Sequence, residues 1–254
     1  MSIMSTLRNS FLSFQNVKFD FSGKRALVVG GSKGIGREVV TAFSQAGADV
    51  IYASRTPIEK ENVGLFHATD IHNEADITAL FQKIDELGNL DFLVNSAAIN
   101  NWITIENIET AEWDDVLAVN LRAAFLLCRE AAIRMKKTKT GRIVNISSIA
   151  GRHRSPVAGV HYVSSKAGII GLSKQLAFEL APHGVNVNVV CPSQTETEML
   201  SESMDKEQLD KLAQQIPVRR LAKVEDQVGP IMFLCSDAAS YITGAVVDVN
   251  GGQI

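Results

Sequence analysis

The chain of 254 residues has only three cysteines, at 128, 191 and 235, each inside an apolar segment far from the others. That spacing excludes a disulfide framework and a cysteine metal site. It suits buried, reduced thiols in a cytoplasmic protein. The five histidines, at 67, 72, 153, 161 and 183, form no ligand motif, so no catalytic metal is expected. Charge is nearly balanced, and a net −3 gives no global field favouring nucleic acid or an anionic membrane. Apolar runs are short. None is long enough to span a bilayer or to form a signal-peptide core, and residues 1–16 carry one Arg and several Ser instead. No linker, repeat or low-complexity stretch divides the chain. One domain is therefore expected over 21–254, with 1–20 as an extension that packs loosely or not at all.

What is present is a regular alternation of short apolar strands and longer amphipathic segments. Strands are expected at 26–29, 49–53, 65–68, 90–94, 141–146, 186–191 and 246–249. Helical patterns cover 37–46, 73–87, 110–137 and 160–183, and 46% hydrophobic residues suffice for a sizeable core. The stretch 56–64 is too short for a crossover helix. This order predicts an α/β fold, a single-domain doubly wound parallel sheet with helices on both faces. Ligands in such sheets collect beyond the carboxyl ends of the strands, so the residues just after each strand are the candidates for chemistry.

After the first strand the chain reads Gly30-Gly31-Ser32-Lys33-Gly34-Ile35-Gly36. Glycines before a helix N-terminus allow a tight turn, and the helix start offers unpaired N–H groups, so the loop suits a diphosphate. Alone it is weak, because a structural turn explains it equally well. After the second strand stand Ser54 and Arg55, where an acid would meet the ribose hydroxyls of NAD. A guanidinium there suits a 2′-phosphate, with Lys33 in reach of the same group; two solvated surface cations are the plain alternative. Asp70 either meets a ligand or caps the next helix. Tyr162 and Lys166, at i and i+4, project from one face of a helix. Asn120 interrupts a helical pattern in which its side chain competes with the backbone.

Taken together, Gly30-x-x-x-Gly34-x-Gly36, Asn120, Ser148 and Tyr162-x-x-x-Lys166, in this order, resemble the short-chain dehydrogenase/reductase family. The resemblance runs from about residue 21 to 254 and includes Ile242-Thr243-Gly244 and Asp248-Val249-Asn250-Gly251-Gly252. Departures are Val29 where the family has Thr, Asn95-Ser96-Ala97-Ala98 for Asn-Asn-Ala-Gly, and Ser193 for the Gly after Pro192. The resemblance implies an NAD(P)-dependent oxidoreductase that interconverts a ketone and a secondary alcohol, with a flavour of 3-oxoacyl-thioester reductases. Tyr162 is then the acid/base, Ser148 the donor to the carbonyl oxygen, and Lys166 the partner of both Tyr162 and the nicotinamide ribose. Asn120 kinks its helix and holds a water beside Lys166. Gly30, Ser32, Lys33, Gly34, Ile35, Gly36, Ser54, Arg55, Asp70, Ile71, Asn95, Ala97, Pro192 and Thr197 complete the implied cofactor site. NADP(H) is expected ahead of NAD(H). The alternatives are an NAD-linked alcohol or sugar dehydrogenase and a non-catalytic cofactor-binding subunit. A homotetramer pairing through 110–137 and 160–183 is implied as well.

Two expectations are quantitative or local. A free phenol needs about 3–4 kcal/mol of help to act near pH 7, and a Lys at about 6 Å would supply about 3 kcal/mol at an effective dielectric near 20. Arg152, His153 and Arg154, between Ser148 and Tyr162, have no acid nearby in sequence. They suggest a positive spot at the pocket mouth and an anionic substrate, or else a solvated loop. Trp102 and Ile103 suggest an apolar wall, and 201–217 either a lid or a solvated helical excursion.

Overall fold

The computed structural model describes residues 17–58, 63–201 and 204–254. Its seven strands are β1 (Arg25–Val29), β2 (Asp49–Ser54), β3 (Leu65–Ala68), β4 (Phe92–Asn95), β5 (Gly141–Ile146), β6 (Val185–Pro192) and β7 (Val246–Val249). They form one parallel sheet in the order β3-β2-β1-β4-β5-β6-β7. The order reverses between β1 and β4, which opens a crevice at their carboxyl ends. Val29 pairs with both Ala53 and Asn95, so three strand ends lie level beneath that crevice.

The alternation within β1 divides the core. Ala26 and Val28 face one side, with Val39, Val40 and Phe43 of α1 (Gly34–Gln45) and Val228 and Ile231 of α9 (Val224–Cys235). Leu27 and Val29 face the other, against Ile77, Leu80 and Phe81 of α2 (Glu74–Leu87) and Leu127 and Ala131 of α4 (Ala123–Thr138). Each large apolar side chain so buried contributes about 1.5–3 kcal/mol. The doubly wound sheet expected from the sequence is what forms.

Several local expectations change. The first helix starts at Gly34 rather than 37, so the glycine loop supplies its first turn. Asn73, not Asp70, caps α2, accepting from Ala75 N at 2.9 Å. The single helix expected over 110–137 is α3 (Thr110–Leu117), a π-helical turn at Ala118–Arg122, and α4. Three more helices, α5 (Ile149–Arg152), α7 (Glu198–Ser201) and α9, had no counterpart in the expected pattern. In α9 an internal Pro230 obscures the helical signal.

The long 160–183 segment is α6 (Val160–Leu180), closed by a 3-10 turn. Within 201–217 the helical excursion forms as α8 (Lys206–Gln215). Asp205 and Gln208 cap it, and Leu212 is buried with Ile216 and Leu221. Of the expected extension, residues 1–16 lie outside the described residues, whereas Phe19 stacks on Phe21 at 6.0 Å beside the core.

Candidate active site

The glycine loop is shaped by close approach. Gly30 has φ 77°, and a Cβ there would sit 2.6 Å from Ala97 N, which brings β1's exit against the loop after β4. A Cβ at Gly36 would collide with the Gly30 carbonyl, so α1 can start this near the turn only with glycine. Gly34 lies under Thr197, where a Cβ would come within 3.1 Å of Thr197 Cγ2. Lys33 precedes α1 in extended conformation and provides no side-chain cap, and no acid sits in the first turn. The helix N-terminus therefore keeps its unpaired N–H groups and partial positive charge for an anion. Ser32 and Ile35 line this turn, Ile35 resting on the core. Asn95 Oδ1 is buried without a hydrogen-bond partner at the end of β4. A narrow glycine cradle beside an unpartnered buried acceptor fits a dinucleotide.

At the other end of the crevice, Ser54 closes β2 and donates its hydroxyl to Thr56 O at 2.6 Å. Arg55 and Lys33 are exposed and form no salt bridge among the described residues. Thr69 N donates to Ser54 O, which places Asp70 and Ile71 beside the β2 exit. Asp70 Oδ1 accepts from His72 N, a local turn in place of the helix cap.

Ser148, Tyr162 and Lys166 converge beyond β5. Ser148 caps α5 by accepting from Ala150 N at 3.0 Å, and its hydroxyl lies near enough to the Tyr162 phenol to favour the phenol's ionised form. Lys166 is buried, donates from Nζ to Ile146 O at 2.8 Å, and lies 5.6 Å from the Tyr162 ring centroid. Asn120 Oδ1 accepts from Ile99 N at 2.8 Å, while Nδ2 donates to Ile99 O at 2.9 Å and to Ser165 Oγ at 3.1 Å. Ser165 Oγ in turn donates to Tyr162 O at 2.7 Å. Asn120 thus ties the loop after β4 to α6 through Ile99 and Ser165, and no direct bond joins it to Lys166. The π-helical turn is the helix's accommodation of these side-chain bonds.

The expected depression of the Tyr162 phenol is not what these groups produce. Burial pushes it up, to about 12, and the nearby Ser148 hydroxyl opposes that shift. The residue is only half-buried, so its ring remains open to solvent on one side. Burial moves Lys166 the other way, down to about 8, with the Cys191 side chain opposing. For both groups dehydration outweighs the opposing neighbour, Ser148 for the phenol and Cys191 for the ammonium. The phenol is accordingly protonated near neutral pH.

The positive spot also needs correction. Arg152 Nη2 pairs with Asp248 Oδ2 at 3.1 Å, because the sheet brings β7 beside α5. Only His153 and Arg154 remain exposed there without an ion pair among the described residues. Ser147, next to Ser148, is structural: its hydroxyl donates to Lys166 O at 2.8 Å. Gly151 had no sequence signal, yet a Cβ there would meet Lys166 C at 2.6 Å, so α5 crosses α6 only with glycine. Pro192 ends β6 opposite Val249.

A family profile described as enoyl-(acyl carrier protein) reductase matches residues 29–253. The 3-oxoacyl-(acyl-carrier-protein) reductase FabG of Aquifex aeolicus is 37% identical over 249 residues, covering 93% of this chain and 100% of that protein. Nodulation protein G of Rhizobium sp. (strain N33) is 36% identical over 244 residues, covering 92% and 98%. Among solved structures, the ligand-free aldohexose dehydrogenase of Thermoplasma acidophilum superposes with a TM-score of 0.86 at 30% identity, covering 92% and 94%. Among the described residues no helix is long and apolar enough to cross a membrane. The glycine cradle at the sheet's switch point, the Ser148–Tyr162–Lys166 cluster and these likenesses agree: the chain belongs to the short-chain dehydrogenases/reductases and is an NAD(P)-dependent oxidoreductase.

Proposed function

We propose that the protein is an NADP(H)-dependent ketoreductase acting on a 3-oxoacyl-type or other small carbonyl substrate. The observation that carries this reading is the convergence of the Ser148 hydroxyl and the Tyr162 phenol, with Lys166 Nζ 5.6 Å from the Tyr162 ring centroid behind them. A carbonyl oxygen placed between two hydroxyl donors is polarised by both, and Ser148 acts as the oxyanion donor. Tyr162, protonated near neutral pH, gives its proton to that oxygen. Lys166 stabilises the phenolate left behind and, when charged, binds the nicotinamide ribose hydroxyls. Asn120 keeps α6 and the loop after β4 in register. The bound dinucleotide supplies the hydride. Gly30, Gly34 and Gly36 take its diphosphate with Thr197, while Asn95 and Ala97 border the ribose.

Relatives named 3-oxoacyl reductases support the substrate class, and the aldohexose dehydrogenase likeness favours the NAD-linked sugar oxidoreductase as the second reading. A non-catalytic subunit has no physical need to hold Ser148, Tyr162 and Lys166 together. Arg152, being paired with Asp248, lends no support to an anionic substrate.

Arg55 and Lys33, exposed and without a salt bridge among the described residues, support NADP(H). Two charge-assisted contacts of about 1.5–3 kcal/mol each give at least about tenfold discrimination. The test is kcat/KM with both dinucleotides over a panel of 3-oxoacyl thioesters, keto sugars and cyclic ketones. NADPH should win by that margin, Arg55→Ala should lose it, and equal or better use of NADH overturns the preference.

The proposal extends to a homotetramer. Phe125 and Ile133 on α4 and Phe178 on α6 are exposed, Phe178 by 80%, and a Cβ at Gly171 would meet nothing within 4 Å. An apolar face with room for a close helix suits a second copy. Sedimentation at micromolar concentration should give a tetramer, and a monomer refutes it.

A further inference from the structure

We propose that Glu112 and His161 form a positioning pair for Tyr162, in which the carboxylate fixes the imidazole and the imidazole holds the first turn of α6. This rests on the reading of Tyr162 as the proton donor. α6 begins after Gly159, which offers no side chain to cap the unpaired N–H groups of the first turn. His161 fills that role: its Nδ1 accepts from Tyr162 N at 2.8 Å, on the residue whose phenol must be placed. The ring is completely buried.

An Nδ1 that accepts requires the proton of the neutral ring to sit on Nε2. That nitrogen faces Glu112 Oε1 at 3.4 Å, across the contact between α3 and α6. The same oxygen accepts from Asn101 Nδ2 at 3.0 Å, so the carboxylate is held from the loop after β4. A second strut joins that loop to the approach of α6, with Asn100 Nδ2 donating to Val157 O at 3.2 Å. Gly159 is part of the fit, since a Cβ there would lie 2.5 Å from His161 Cε1 and 3.0 Å from Asn101 O. The imidazole therefore occupies a slot made for it, with one nitrogen assigned to Tyr162 and the other to Glu112. A ring that merely filled space would need neither assignment.

The effect on catalysis comes through placement. Ser148 faces the phenol from α5, whereas His161 fixes the backbone of the same residue from the α3 side. Sub-ångström drift of a proton donor costs rate without costing affinity.

The experiment exploits the two nitrogens separately. His161→Asn keeps an acceptor where Nδ1 lies, His161→Gln keeps a donor where Nε2 lies, and His161→Leu keeps neither. Steady-state carbonyl reduction is measured for each, with melting temperatures, beside wild type and Tyr162→Phe. The expected result is a kcat about 10–100-fold lower for His161→Gln and His161→Leu, both KM values changed by less than about threefold, and most of kcat restored in His161→Asn. Glu112→Ala is then made in the wild-type and the His161→Asn backgrounds. It should lower kcat about tenfold in the first and less than about twofold in the second, because an amide oxygen needs no tautomer fixed. The cycle remains readable if His161→Leu does not fold. Equal losses in both backgrounds, or a His161→Gln as active as wild type, overturn the pair. If Tyr162→Phe retains wild-type turnover, the function reading fails. If Tyr162→Phe is inactive while every His161 and Glu112 variant is fully active, this inference alone fails.

Discussion

Tyr162→Phe is expected to lower kcat for carbonyl reduction by about 10²–10⁴-fold while leaving dinucleotide binding and the melting temperature near wild type. The variant removes one oxygen and keeps the ring. Lys166 Nζ stays bonded to Ile146 O, and Ser148 stays bonded to Ala150 N, so neither neighbour is left without a partner. Ser148 can still polarise a carbonyl, but no group replaces the proton. Burial keeps the phenol protonated, and the proposed reduction consumes that proton. Turnover, dinucleotide affinity by titration and thermal unfolding separate the outcomes. Wild-type turnover would exclude Tyr162 as the acid, and loss of dinucleotide binding would show that the substitution disturbs the cradle.

Much of this was legible in the sequence, for reasons that differ from residue to residue. Strands buried on both faces read as apolar runs, and Gly30 and Gly36 advertise themselves because a turn this tight admits little else. The Tyr162–Lys166 spacing survives translation into structure because a helix converts i and i+4 into one face. What failed to show depends on partners far away in the chain. Arg152 finds Asp248 ninety-six residues on, a pairing that only the sheet creates. The π-helical turn at Asn120 is invisible to periodicity, since one added residue shifts register without disturbing composition. His161 looked like one of five scattered histidines. Its significance comes from Glu112 and the space at Gly159. Ionisation was the least legible property, because desolvation depends on the whole surrounding shell, and it reversed the expected direction for Tyr162.

Asn120 illustrates how the fold makes the site rigid. Its amide exchanges two hydrogen bonds with Ile99, as a paired strand would, and reaches Ser165 with the third. The loop after β4, which the proposed function sets beside the cofactor ribose, and the helix bearing Tyr162 are thereby joined through one side chain. On the proposed function, placement of the dinucleotide and of the acid then cannot drift independently.

Lys166→Met is expected to remove at least about 10²-fold of turnover without lowering stability at pH 7. Lys166 is buried, and its ammonium is held down at about 8 from 10.5, so folding at neutral pH must carry a charge into a dry site. The unfolded chain binds that proton more tightly, and the resulting cost is about 3 kcal/mol below pH 8. Methionine has similar length and no charge. It leaves Ile146 O without its donor, which costs about 1–3 kcal/mol, so the two effects roughly offset or favour the variant. The pH dependence carries the sign. Between about pH 8 and 10.5 the unfolded state holds the Lys166 proton while the folded state has lost it, so wild-type stability should rise relative to Lys166→Met across that window. The difference between the two proteins is the quantity to measure. Buried Cys128, Cys191 and Cys235 are all pushed above their ordinary range, which makes either protein less stable at high pH. Wild-type reduction should decline over the same rise in pH as Lys166 loses the charge that stabilises the phenolate. A wild type that loses stability relative to the variant above pH 8 would mean that Lys166 is charged at no cost in the folded protein. Its activating role would then need another physical basis.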